Sequence, residues 1–198
     1  MKKLLCLTLA ICLMLCFTAC GGPDDDILGT ISGQRYKNDF FDFQTRLPSD
    51  WDVYSFQETS QFMLGKSLNA DQLLENLKET GMTYPFYATK DNGMSSVNIV
   101  IEKLSPASLS EQGYANVAVK QVPATLQTIG MTNVEAEITS VTFADELHVA
   151  VEVYGEFSGT PFYETVVCVK EEGYMCCITV GSFDAATVES ILDGFWEY

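Results

Sequence analysis

Between residues 40 and 47 large apolar and polar side chains alternate. Phe41, Phe43, Thr45 and Leu47 fall on one side, and Phe40, Asp42, Gln44 and Arg46 on the other. A period of two predicts a strand with one face buried. Pro48 ends it, having no amide hydrogen to give a ladder. Trp51 is expected to fold back onto the same core, with Val53 and Phe56 continuing in a second short strand. The pattern then turns helical. Asn69 with Gln72 makes a capping box, Leu73, Leu74 and Leu77 form an apolar stripe, and Gly81 supplies a left-handed cap. Residues 84–89 and 97–104 read as strands around the turn Lys90-Asp91-Asn92-Gly93.

A second helix is predicted over residues 108–129, where Tyr114, Val117, Ala118, Val122, Leu126 and Ile129 share a face. Pro123 lies inside it, so a kink or restart is expected near residues 119–123. The remainder reads as a meander of four strands, residues 133–143, 147–157, 161–170 and 174–182. They are joined by the short loops Ala144-Asp145-Glu146, Ser158-Gly159-Thr160 and Glu171-Glu172-Gly173. Asp184 caps a last helix with Val188, Ile191, Leu192 and Phe195 on one face. The fold class is therefore α+β: a mainly antiparallel β-sheet with helices on both faces.

The first residues do not belong to this pattern. Two lysines precede an apolar run from Leu4 to Phe17, which is too short to span a bilayer and ends in small residues. This is the layout of a secretory signal peptide, residues 1–19. Phe17-Thr18-Ala19-Cys20 resembles the lipobox of bacterial lipoproteins, which implies diacylation of Cys20 as the mature N-terminus. Cleavage after Gly21 and secretion is the alternative. Residues 20–35 hold glycines, a proline and Asp24, Asp25 and Asp26, and read as a lipid anchor and flexible acidic tether. Residues 36–198 form a single domain.

Removing the signal leaves nine basic against twenty-seven acidic residues, a formal charge of −18. Such a surface repels nucleic acid and anionic lipid heads. No nucleophile elbow, Walker loop, dinucleotide fingerprint or His-Glu-x-x-His motif occurs, and His148 is the only imidazole. It sits with Ala150, Glu152 and Tyr154 opposite an apolar strand face, which suits a packing residue better than a base. No metal site or cofactor is expected, Asp24, Asp25 and Asp26 reading as a solvated run. Nothing singles out a carboxylate pair for hydrolysis. Outside the signal and Cys20, the cysteines are Cys168, Cys176 and Cys177. A three-residue loop at 171–173 sets Cys168 opposite Cys176, a candidate disulfide; a two-residue loop pairs Cys168 with Cys177 instead. Buried thiols acting as small apolar side chains are the remaining reading.

Tyr36, Asn38, Phe41, Phe43, Leu47, Pro48 and Trp51, with the closing Ile-Leu-Asp-Gly-Phe of residues 191–195, resemble small Gram-positive lipoproteins. These have the fold shared by the photosystem extrinsic protein PsbP and a nuclear Ran-binding protein. The resemblance implies an α-β-α sandwich that acts by binding other proteins, with no common catalytic site. Together with the anchor, this leads to the expectation of a lipid-anchored, non-catalytic binding module at the outer face of the cytoplasmic membrane. It would engage a protein or envelope component. An extracytoplasmic hydrolase and a small solute-binding lipoprotein are the alternatives. Replacing Cys20 by Ala is expected to release the protein from membranes or leave the precursor uncut, read by fractionation and immunoblotting. A cleaved, fully membrane-retained variant would rule out the anchor.

Overall fold

Three tight turns set the register of the C-terminal half. The computed structural model describes residues 25–197; the expected signal segment, Cys20 and Asp24 lie outside them. Strands β7 (Met131–Phe143), β8 (Glu146–Phe157), β9 (Thr160–Glu171) and β10 (Tyr174–Ser182) form the meander. Each connection has two residues rather than the three expected. Phe143 pairs with Glu146, Phe157 with Thr160 and Glu171 with Tyr174. All the turn residues have positive φ: +47° and +65° at Ala144-Asp145, +53° and +80° at Ser158-Gly159, +41° and +87° at Glu172-Gly173. Two left-handed residues in succession make the mirror-image turn whose twist matches the right-handed twist of the strands it joins. That match decides the loop length.

β10 pairs on its other edge with β6 (Ser95–Lys103), β6 with β5 (Met82–Lys90), and β5 with the short β4 (Asp52–Val53). The result is a seven-stranded antiparallel sheet, ordered β4-β5-β6-β10-β9-β8-β7. Helix α1 (Phe56–Leu64) lies against β5, and α3 (Glu111–Thr128) covers β7, β8 and β9. The opposite face carries α2 (Ala70–Thr80), α4 (Ala185–Leu192) and a second, four-stranded antiparallel sheet. That sheet is β1 (Thr30–Ser32), β2 (Arg35–Asn38), β3 (Phe43–Arg46) and β11 (Phe195–Glu197). Helices thus flank the large sheet on both faces, as expected, while the second sheet thickens one layer. Three expectations are corrected. Phe195 is not part of the last helix, which ends at Leu192, but opens β11. Phe56 opens a helix instead of extending a strand, because Ser55 and Glu58 form a capping box. The helix does not restart near Pro123, which lies inside the single helix α3.

The opening strand is shorter than expected and belongs to the second sheet as β3, because residues 39–42 form a turn with Asp42 at φ +51°. Phe41 in that turn, Phe43 in the strand and Leu47 just beyond it are core residues, as is Trp51. Phe43 meets Phe143 at 5.3 Å and Phe195 at 5.9 Å between ring centroids, while Tyr36 lies 4.8 Å from Phe86. The contacts of Phe43 with Phe143 and of Tyr36 with Phe86 join the two sheets, and that with Phe195 packs within the small one. Asn38 explains its own place in the motif. Its Oδ1 accepts from the amides of Phe40 and Phe41, and its Nδ2 donates to the Ile27 carbonyl and the Tyr36 hydroxyl. Tyr36 in turn donates to the Leu28 carbonyl. Ile27 and Leu28 are consequently buried, and Thr30–Ser32 pairs with Arg35–Lys37. The part of the expected tether from Ile27 onward is folded into the domain. Phe43, fully buried, is expected to lose about 3–5 kcal/mol of stability on replacement by Ala, measured by urea denaturation. An unchanged midpoint would remove this strand from the core.

Candidate functional site

Alternation along β7, β8 and β9 sorts side chains between two very different surroundings. On the face carrying α4, Glu135, Glu137, Glu152, Tyr154, Tyr163 and Thr165 line an open cleft of about 430 Å³. α4 closes one side with Ala185, Val188 and Glu189. The rings of Tyr154 and Tyr163, opposed across β8 and β9, are 5.6 Å apart. Glu137 stands directly opposite Glu152. Like charges in opposed positions repel, since their β-carbons are only about 4.5–5.5 Å apart. No lysine, arginine or histidine lines the cleft. Partial burial, then Glu156, Tyr163 and Glu135, raise the Tyr154 phenol above its usual range. The chemistry available here is attraction of a cation by carboxylates and by aromatic faces.

On the opposite face the same strands carry the core under α3: Val151 and Val153 of β8, Phe162, Val166 and Cys168 of β9. Glu164 is placed among them between Phe162 and Val166, opposite Val153 and Gly181. It is 1% exposed, and neither carboxyl oxygen has a hydrogen-bond partner. Burial pushes this carboxyl up to about 8, so it is protonated at neutral pH. Asn98 of β6 faces the same side, fully buried, with both amide atoms unpartnered. Thr179 opposes Asn98, and Ser96 opposes Gly181, completing a buried polar strip between the ground covered by α1 and that covered by α3. Each unmade bond costs about 1–3 kcal/mol, and such groups are rare in native interiors. The other buried acid, Glu102, does not pair with Glu164. Their partners on β10, Met175 and Gly181, are six positions apart, or ~20 Å along the strand. Glycosidase carboxylates stand within about 10 Å.

His148 is tied into the structure. Its Nδ1 lies 3.2 Å from Glu111 Oε1, which also accepts from the Lys170 amide, and its ring meets Phe143 edge-on. Among the described residues, no three metal-ligating side chains converge and no helix is long and apolar enough to cross a membrane. Sequence reasoning did not find Glu164. The signal was present, since Phe162, Val166 and Cys168 mark its strand parity as interior. The expected pairing of Cys168 with Cys176 does not occur: Cys168 faces Cys177, and Cys176 points into the core on the other side of the sheet. The two-residue turn at Glu172-Gly173 shifts the register by one. All three are thiols in this structure.

The buried Glu164 carries a pH signature. Its carboxyl sits near 4.5 when exposed and about 8 in the fold, so between these values the folded chain keeps a proton that the unfolded chain has released. Stability contributed by the neutral acid is complete below the unfolded value and is lost as pH rises toward 8, by up to about 1.4 kcal/mol per pH unit. Glu164→Gln is therefore expected to gain stability over the parent at about pH 7.5 and to differ little at about pH 4, by urea denaturation at each pH. Parallel stability profiles for the two proteins would contradict this.

No protein-family model matches the chain, and no curated protein matches it. Among solved structures, a Bacteroides thetaiotaomicron protein is similar with a TM-score of 0.42 and 12% identity, over 85% of this chain and 49% of that one. This chain thus spans about half the length of that protein. LpqN of Mycobacterium tuberculosis, described as involved in cell envelope biogenesis, is similar with a TM-score of 0.41 and 10% identity. The match covers 78% of this chain and 82% of LpqN. A Pseudomonas aeruginosa protein of unknown function follows at 0.30 and 11%, over 48% and 63%. Likenesses this distant leave the function to the chain's own residues.

Proposed function

We propose that this chain is a lipid-anchored, non-catalytic binding module at the outer face of the cytoplasmic membrane. Its acidic cleft engages a cationic segment of a protein or other envelope component. The supporting observation is the directly opposed pair Glu137 and Glu152 in the cleft, beside the aromatic pair Tyr154 and Tyr163 and with no basic residue around them. Like charges held opposite one another cost stability in the free protein. A lysine or arginine side chain entering the cleft removes that repulsion and gains attraction, so the free protein carries the cost and the complex relieves it. The formal −18 of the processed chain extends the same field outward and speeds encounter with a cation.

A fluorescent oligolysine peptide serves as probe, read by anisotropy. Binding is expected to weaken steeply as salt rises from ~50 to ~500 mM, because the Debye length contracts from about 14 to 4 Å. Glu137→Gln with Glu152→Gln is expected to raise the melting temperature slightly while weakening the peptide at least several-fold. Equal affinity for parent and variant would show that the cleft is not the contact. In-membrane crosslinking from position 154 then identifies the natural partner. Nucleic acid and anionic vesicles are expected not to bind the lipid-free domain.

A further inference from the structure

Cys168 and Cys177 occupy directly opposed positions in the hairpin formed by β9 and β10. Glu171 and Tyr174 flank its two-residue turn and so form a hydrogen-bonded pair; alternation makes the third pair beyond them, Cys168 and Cys177, a non-hydrogen-bonded one. Opposed α-carbons there are about 4.5 Å apart and the side chains lean together, within the roughly 4.4–6.8 Å that a disulfide spans. Both side chains are on the α3 face and buried beside Tyr114. The neighbouring Cys168, together with burial, raises the Cys177 thiol well above its usual range. Cys176, next in sequence, projects to the other face into the core that holds Tyr36, so the sheet itself separates it from the pair.

We propose that Cys168 and Cys177 are a cross-strand disulfide site, closed during export by a disulfide-carrying exchange protein of the extracytoplasmic space, with Cys176 left as a thiol. One cysteine thiolate attacks the donor's disulfide, forming a mixed disulfide and releasing one donor thiol. The second thiolate attacks the protein sulfur of that intermediate and releases the other. The chain's two thiols lose two protons and two electrons, and the donor disulfide becomes a dithiol. Both sulfurs are buried once α3 has docked, so the exchange precedes docking. The bridge then fixes the register of β9 against β10, on which the placement of Glu164 opposite Gly181 also depends.

The inference rests on the exported location proposed above, and the test separates the two. The mature lipoprotein is extracted from membranes, alkylated in denaturant without reductant and digested with trypsin, which cuts after Lys170 between the two cysteines. Mass spectrometry is expected to show the peptide ending at Lys170 joined to the one beginning at Glu171, with a single alkyl group on the latter, at Cys176. Reduction is expected to lower the melting temperature by about 5–10 °C, as for a ten-residue loop in a domain of this size, and to leave Cys168→Ala/Cys177→Ala unchanged. Alkylation of Cys168 and Cys177 without reductant in both the cell-derived and the glutathione-refolded protein overturns the proposal, as does a link from Cys168 to Cys176. Refolding the reduced chain in a glutathione redox buffer checks the geometry independently of export. A Cys168–Cys177 link formed there upholds the site even if the cell-derived protein lacks it, in which case the exported location is what fails.

Discussion

The register of the four-strand meander is the constraint on which the rest of the structure depends. It is set by three turns of two left-handed residues each, and a β-strand slipped by one position sends every side chain to the opposite face. With Phe143 against Glu146, Phe157 against Thr160 and Glu171 against Tyr174, the faces of β7 to β10 are all determined. Val151, Phe162, Val166 and Met175 then meet α3, and Val167, Val169, Ile178 and Val180 meet the layer built from α2, α4 and the small sheet. Non-glycine residues accept positive φ at Ala144, Asp145, Ser158 and Glu172. The local strain is offset by burial along the strands that those turns align.

Because the three inner strands β6, β10 and β9 are covered on both sides, their polar residues stand out energetically. Asn98, Thr179 and Glu164 lie on the α3 side of adjacent strands, and four of their polar atoms have no hydrogen-bond partner among the described residues. In a medium of low dielectric the acid responds by holding its proton, which turns a charge problem into a hydrogen-bonding one. On the other face of the sheet, Glu135 and Glu137 of β7 and Glu152 of β8 are exposed and remain apart from the core. One sheet thus carries a neutral buried carboxyl on one side and a rim of exposed carboxylates on the other, separated by a single residue of alternation between Glu164 and Thr165 or Tyr163.

The small sheet solves a different problem. A two-sheet layer needs its edges and its entry chain fixed, and here Asn38 and Tyr36 do this with side-chain hydrogen bonds to the carbonyls of Ile27 and Leu28. β11 closes the layer from the far end of the chain, pairing Phe195 with Thr45 and Trp196 with Gln44. The aromatic contacts of Tyr36 with Phe86 of β5 and of Phe43 with Phe143 of β7 and Phe195 of β11 then bind the first and last segments to one another and to the large sheet. The resemblance motif consists largely of these residues, which explains why it speaks to architecture.

What the sequence by itself determined is what local physics controls. The helix over Ala70–Thr80 follows from a capping box, an apolar stripe and a glycine within one short segment, and the meander strands follow from their period of two. The Ser55–Glu58 box was equally legible, but Val53 is β-branched and Phe56 aromatic, and both also fit a strand; the box together with packing against β5 selects the helix. Charge, the secretory signal layout and the lack of known catalytic motifs are likewise properties of the chain alone. Tertiary structure decided what depends on residues distant in sequence or on a one-residue difference in a turn. The pairing of Phe195 with Thr45 spans most of the domain and leaves no local mark. A loop of two residues in place of three brings Cys177, not Cys176, to Cys168 and sets Glu137 opposite Glu152, because twist matching and core burial act on whole strands at once.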